Sequence, residues 1–232
     1  MKHIGIAAVT AEGAALAYRR ICSTAGERLG RYRHPEISLH PFPFSEHIEA
    51  GPRPREKWAD LLLASAKKLQ ASGADFMICP SNTPHEVYDQ VSSKLNFPWL
   101  HIAEATGESA ARKSMRRLLL LGTRFTLEGS VYDHRVFSEN GIELVLPEEA
   151  EIKRVHEIIT EELIQGDVRE QTRAYFADLT ARYAGKGLDG AVLGCTELPL
   201  AIDPINSHLP LVDSVVALAD AAVGFALDSG RA

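Results

Sequence analysis

Apolar residues in this chain gather in short runs, and the stretches between them mix polar and apolar positions at helical spacing. The runs "HIGIAAV" (3–9), "EISLHPF" (36–42), "DFMIC" (75–79) and "WLHI" (99–102) read as strands. A second set follows at "RLLLLG" (117–122), "IELVL" (142–146), "GAVLG" (190–194) and "LPLVD" (209–213). The intervening patterns predict helices over 12–26, 56–72, 126–139, 150–164, 168–186 and 214–227. Strands that alternate with helices imply α/β layers with mostly parallel sheets.

The two sets resemble each other. Gly73 and Asp75 lie eight and six residues before Ser81, and Gly187 and Asp189 stand in the same relation to Cys195. Pro98 opens the next strand 17 residues after Ser81, and Pro210 does so 15 residues after Cys195. Thr10 precedes Ser81 by 71 residues and Thr126 precedes Cys195 by 69. Matches in the same order predict a duplicated β/α unit. The expected halves are 1–102 with 210–232, and 103–209. Ligands of open α/β sheets bind beyond the carboxyl ends of the strands. Ser81 and Cys195 are therefore expected to face each other across a cleft, each at the start of a helix. Free N–H groups and partial positive charge at such starts suit a small carboxylate.

Composition narrows the function. With 232 residues, 45% of them hydrophobic and 24% charged, the chain suits one large domain or two small ones in an ordinary soluble protein. A net charge of −6 gives no reason to expect nucleic acid or an anionic membrane as partner. The apolar stretches fall short of a membrane span, and the opening residues lack a signal-peptide cleavage pattern. Three cysteines without a pairing pattern, Cys22, Cys79 and Cys195, fit a reducing cytoplasm. No CxxC, zinc-ligand spacing or glycine-rich nucleotide loop is present, so neither a metal nor a nucleotide cofactor has support.

Cys195 carries the candidate chemistry. A cysteine at a helix start, between Gly194 and Thr196, is expected to have a lowered pKa and to serve as nucleophile or base. No histidine is close to it in sequence; His85 and His208 are the candidates for an approach in space. Cys22 and Cys79 read as packing residues. Ser81, Asn82 and Thr83 read either as site residues or as helix caps and turn formers. Glu197 is expected to support a helix start, where negative charge is favoured. The segment "EAGPRPREKW" (49–58) reads as a connector or as a lid that carries Arg53 or Arg55 to a second substrate carboxylate.

The motifs also resemble a family. "PSNTPH" (80–85) and "GCTELPL" (194–200) are similar to the signature motifs of the aspartate/glutamate racemases, the cofactor-independent amino-acid racemases. "HIAEATGESA" (101–110), "LLLLGTRFTLEGSVY" (118–132) and, more loosely, "MKHIGIAAVTAEGAALAYRRI" extend the resemblance nearly end to end. It implies two flavodoxin-like domains with the active site in the cleft, a homodimer, an amino-acid substrate, and no pyridoxal phosphate or metal. One cysteine from each half would act on opposite faces of the substrate α-carbon, with Cys195 on the side of the L enantiomer's proton. The resemblance places Asn82, Thr83, Thr123 and Thr196 on the substrate carboxylate and amino groups. Thr10 and Arg53 complete the expected substrate ligands.

Two departures stand out. Ser81 occupies a position that is cysteine in most of the family; members with a hydroxyl residue there resemble one-sided enzymes. "AAVTAEG" (7–13) replaces a glycine-rich turn and reshapes the pocket at Ala8, Val9 and Thr10. The expected function is racemisation of aspartate or glutamate with Cys195 and Ser81 as the acid/base pair. Alternatives are a hydantoin racemase, maleate isomerase or arylmalonate decarboxylase of the same superfamily, or a carboxylate-binding protein without turnover. The Asn82–Thr83 pair favours the amino-acid branch.

Overall fold

A computed structural model describes residues 1–49, 51 and 54–228, so Arg53 lies outside the described residues. The chain forms two compact units, Met1–Ala105 together with the segment from Val215, and Thr106–Ser214. The first contains β1 (Ile4–Ala8), α1 (Ala11–Leu29), β2 (Ile37–Pro41), α2 (Phe44–Ile48), α3 (Arg55–Ala71) and β3 (Phe76–Ile78). A 3-10 turn, Thr83–Val87, then runs into α4 (Tyr88–Ser92), followed by β4 (Trp99–Leu100) and the start of α5 (Ile102–Arg112). The second contains β5 (Arg117–Leu121), α6 (Arg124–Leu127), α7 (Arg135–Glu139), β6 (Glu143–Val145), α8 (Glu149–Glu157), α9 (Glu170–Gly185), β7 (Gly190–Leu193) and β8 (Leu211–Asp213). Helix α10 (Ser214–Leu227) returns the chain to the first unit. The sheets run β2-β1-β3-β4 and β6-β5-β7-β8, all parallel, the flavodoxin-like order. All eight strands fall where the apolar runs predict them.

The central strands are apolar without alternation because helices cover both faces. In the first unit Ala7 and Met77 pack on Trp58, Leu62, Ala66 and Leu69 of α3. On the other face Phe76 meets Phe225 of α10 edge to face, with ring centres 4.7 Å apart. In the second unit Leu119, Leu121, Ala191 and Leu193 pack with Val155, Phe176, Leu179 and Tyr183. Burying a side chain of Leu or Phe size contributes roughly 1.5–3 kcal/mol, so these contacts dominate the stability of each unit.

The internal repeat has a structural basis. Gly73 (φ 94°) and Gly187 (φ 79°) adopt the left-handed conformation that ends α3 and α9. The Asp75 carboxylate accepts from the His3 N–H at 2.6 Å, and that of Asp189 from the Arg116 and Arg117 N–H groups at 2.9 and 3.0 Å. Each aspartate thereby fixes the start of the neighbouring first strand. The Pro98 and Pro210 carbonyls accept from Met77 and Ala191 at 2.8 and 2.9 Å. Proline is tolerated at a strand start, where no ladder donor is required of it. One pairing is corrected: the counterpart of Thr10 is Thr123 and not Thr126. Thr10 and Thr123 are the extended N-caps of α1 and α6, accepting from Gly13 and Thr126 respectively.

Three helical expectations change. The pattern over 126–139 is broken into α6 and α7, with turn residues from Glu128 to His134 between them. Helix 150–164 passes from α8 into a π-turn at Ile158–Glu162 and a 3-10 turn at Leu163–Gln165. There the buried Glu162 carboxylate accepts from Thr172 and pairs with Arg154 and Arg169. Helix α5 is absent from the expectations although Glu104, Glu108 and Arg112 form an exposed stripe at four-residue spacing; the stripe is narrow, with Ile102, Ala103, Ala105, Thr106 and Ala110 buried around it. It packs so closely that a Cβ on Gly107 would stand 2.5 Å from Val136 Cγ1. No helix among the described residues is long and apolar enough to cross a membrane.

Candidate active site

In each sheet the strand order reverses beside the first strand, and this switch point is where open α/β sheets bind ligands. Thr10 follows β1 and the Ser81–Asn82–Thr83 segment follows β3, so all four residues lie at the switch point of the first unit. Thr123 follows β5 and the Cys195–Thr196 pair follows β7, at the switch point of the second. The predicted residues thus form two clusters of matching design, with Arg53 outside the described residues.

In the first cluster Ser81 is 6% exposed, and its hydroxyl oxygen is buried without a hydrogen-bond partner among the described residues. Leaving a buried hydroxyl unsatisfied costs about 1–3 kcal/mol, which singles it out from an ordinary structural serine. It caps nothing: the 3-10 turn Thr83–Val87 has Asn82 at its N-cap and no side-chain cap bond. Asn82 is buried and Thr83 half-buried. Thr10 holds the start of α1, accepting from the Gly13 N–H at 3.3 Å.

Behind this loop His85 acts as a brace. Its Nε2–H donates to the Cys79 carbonyl at 3.0 Å, which leaves Nδ1 to accept from the Ile102 N–H at 3.4 Å. Burial lowers its pKa to about 4, so the ring is neutral and structural. Cys79 is wholly buried, its thiol pushed up to about 12, in keeping with a packing role. Arg55 is not a spare cation for a substrate, because its guanidinium binds the buried Glu86 carboxylate at 2.9 Å.

In the second cluster the half-buried Cys195 donates its thiol proton to Glu197 Oε2 at 3.0 Å. Burial first, and the Glu197 carboxylate next, push the thiol well above its ordinary pKa. Backbone N–H bonds from Glu197 and Thr196 to the sulfur oppose the rise without reversing it. The lowered pKa expected of a cysteine at a helix start is therefore reversed in Cys195. Cys195 is followed by a turn and one short 3-10 turn, Leu198–Leu200, which has too few aligned peptides for a macrodipole. Ser81 likewise precedes only a 3-10 turn, whose N-cap is Asn82. Pro84 and Pro199, near the starts of these turns, withhold backbone donors from them.

Glu197 stands where the sequence places it, at the start of the Leu198–Leu200 turn, but its carboxylate accepts from the Cys195 thiol instead of capping that turn. Its signal was present, a carboxylate two residues after the cysteine on a turn, but its role depends on how that turn closes. Two neighbours hold the turn. Gly194 is required because a Cβ there would lie 2.9 Å from the Leu121 carbonyl and 3.4 Å from Tyr132 Cε2. Tyr132 is tied by side-chain hydrogen bonds to Thr106 and Ser214, and the Ser214 hydroxyl donates to the Leu193 carbonyl at 2.8 Å. His208 lies before β8, at the amino end of the sheet, where its N–H is held by Thr180.

Comparison with known proteins identifies the family and agrees with the fold. The profile of the family described as Asp/Glu/Hydantoin racemase matches residues 6–222. The chain is 28% identical over 192 residues to the broad specificity amino-acid racemase RacX of Bacillus subtilis (strain 168), covering 83% of this chain and 81% of that one. Among solved structures, an aspartate racemase homologue from Pyrococcus horikoshii OT3 superposes with a TM-score of 0.83 at 30% identity, covering 97% of this chain and 99% of the other. Glutamate racemase from Aquifex pyrophilus shares the fold, with a TM-score of 0.64 at 22% identity over 98% of this chain and 85% of the other.

Proposed function

Because the chain belongs to the Asp/Glu/Hydantoin racemase family, whose amino-acid racemases are isomerases, we propose that it interconverts the enantiomers of aspartate or glutamate without pyridoxal phosphate or metal. The observation that carries the reading is the Cys195 thiol already donating to the Glu197 carboxylate at a sheet switch point. That arrangement is an acid–base relay at rest. Glu197 takes the thiol proton, and the thiolate so formed takes the proton from the substrate α-carbon. The electron pair of the C–H bond passes into the adjacent carboxylate. Hydroxyl and amide donors of Thr123, Thr196, Asn82 and Thr83 stabilise that growing charge, together with the Thr10 hydroxyl. A proton is returned to the opposite face of the carbon from the Ser81 side, by its hydroxyl or through water. The high thiol pKa suits a strong base formed only when substrate is bound. Likeness to a broad specificity racemase favours a site that also accepts other side chains.

The direct test is incubation with single enantiomers of a panel of amino acids in heavy water, read by NMR and chiral chromatography. Aspartate and glutamate are expected to gain deuterium at Cα and to racemise, with activity retained in EDTA. A panel that gains no label would leave only a binding protein, and activity lost to EDTA and restored by a metal would refute the cofactor-free mechanism.

Glu197 separates this mechanism from a simple thiolate. Glu197→Gln removes the anion beside the sulfur, so the thiol pKa falls and more thiolate is present at pH 8. Alkylation by iodoacetamide is expected to quicken severalfold. Racemisation is expected to fall about 10²-fold or more, the usual scale of a lost proton acceptor. If both rates move in the same direction, Glu197 is not the acceptor.

A further inference from the structure

His47 stands in α2, just past the carboxyl end of β2. It is 4% exposed, yet neither ring nitrogen has a hydrogen-bond partner among the described residues. A neutral imidazole carries one donor and one acceptor, and leaving each unpaired in a buried place costs about 1–3 kcal/mol. Loose placement does not explain this, because the His47 carbonyl accepts from the buried Trp58 Nε1–H at 2.9 Å. Nor do the neighbouring charges serve the ring, since Glu46 and Lys57 pair with each other at 3.7 Å. Burial lowers its pKa, with Glu46 raising and Lys57 lowering it to a lesser degree, so the ring is neutral at pH 7.

Position gives the unpaired ring a purpose. The strand order β2-β1-β3 sets three loops side by side along one edge of the first sheet. They are the loop with His47 after β2, Thr10 after β1, and the Ser81 segment after β3. With the α-carbon chemistry at the β1/β3 switch point, the His47 loop is the one that flanks it on the side away from Ser81, the direction open to a substrate side chain that runs along this edge. Trp99 Nε1, also buried without a partner among the described residues, lies on the opposite flank in β4, its ring tilted against those of His85 and Tyr88.

We propose that the His47 imidazole binds the polar end of the substrate side chain and sets a preference for side chains that end in a hydrogen-bond acceptor over aliphatic ones. This rests on the racemase reading, and its test reads binding as well as turnover. Affinities for L-aspartate and L-2-aminobutyrate are measured by calorimetry for the wild type, His47→Leu and His47→Gln, beside racemisation rates. Leucine replaces an unsatisfied polar ring by an apolar group, so the melting temperature is expected to hold or rise. His47→Leu is expected to lower the ratio of aspartate to aminobutyrate affinity at least about tenfold, and glutamine, which keeps a donor and an acceptor, to restore part of it. An unchanged ratio in His47→Leu, or no aspartate binding by the wild type, overturns the proposal. Absent racemisation with the ratio shifted as described overturns the racemase reading alone.

Discussion

Cys195→Ala is expected to abolish racemisation while the protein stays folded. Proton transfer by a positioned side chain is worth about 10²–10⁴-fold, and no second thiol stands in the turn after β7 to replace it. The structural cost is small, because Cys195 is half-buried and alanine fits a turn that already passes over Gly194. Chiral chromatography at high enzyme concentration and a thermal melt give the two readings, with loss of activity at an unchanged melting temperature as the expected pair. The same thiol accounts for slow alkylation of the wild type near pH 7 that quickens as pH rises, because burial and Glu197 hold its pKa high. Bound substrate is expected to protect it. Near-normal racemisation by the alanine variant would refute the mechanism.

Exchange is expected to enter the two enantiomers at unequal rates. In the proposed mechanism the Cys195 thiol has the Glu197 carboxylate to take its proton, whereas the buried Ser81 hydroxyl has no acceptor among the described residues to take its own. Equilibrium between enantiomers of a free amino acid is one, so the protein cannot favour either product. It can nevertheless exchange the proton of one enantiomer faster than it inverts either. In heavy water, deuterium is expected in L substrate of retained configuration well before D substrate is labelled. Ser81→Cys supplies a second thiol and is expected to raise exchange into the D form about tenfold, toward the L rate. Equal exchange by the wild type would mean that a group near Ser81 is already an effective base, and the one-sided scheme would fall.

The regular architecture was legible because it is encoded locally. Each strand is a continuous apolar run, and the spacings of Gly73 and Asp75, and of Gly187 and Asp189, mark where a left-handed turn and a carboxylate must recur. Helix α5 carries its signal in a narrow stripe, Glu104, Glu108 and Arg112 at four-residue spacing, which the small residues Ala103, Ala105, Gly107 and Ala110 leave inconspicuous. The loops holding Ser81, Thr10, Cys195 and Thr123 were also legible, since small polar residues after apolar runs mark the carboxyl ends of strands. Pairing Thr10 with Thr126 went astray because counting residues cannot tell which threonine caps a helix and which lies one turn inside it.

The sequence by itself determined the alternation of strands and helices, the duplicated Gly-x-Asp frame, and the motifs around Ser81 and Cys195. These depend on side-chain periodicity and backbone conformation, which act over a few residues. Tertiary structure alone decided how those residues are charged and what they touch. The pKa of Cys195 rises because packing strips its water and a turn sets the Glu197 carboxylate 3.0 Å away. His47 and Ser81 become conspicuous only once burial has removed every alternative partner. Ionisation and hydrogen bonding are set by the full surroundings of an atom, and residues distant in the chain supply most of them.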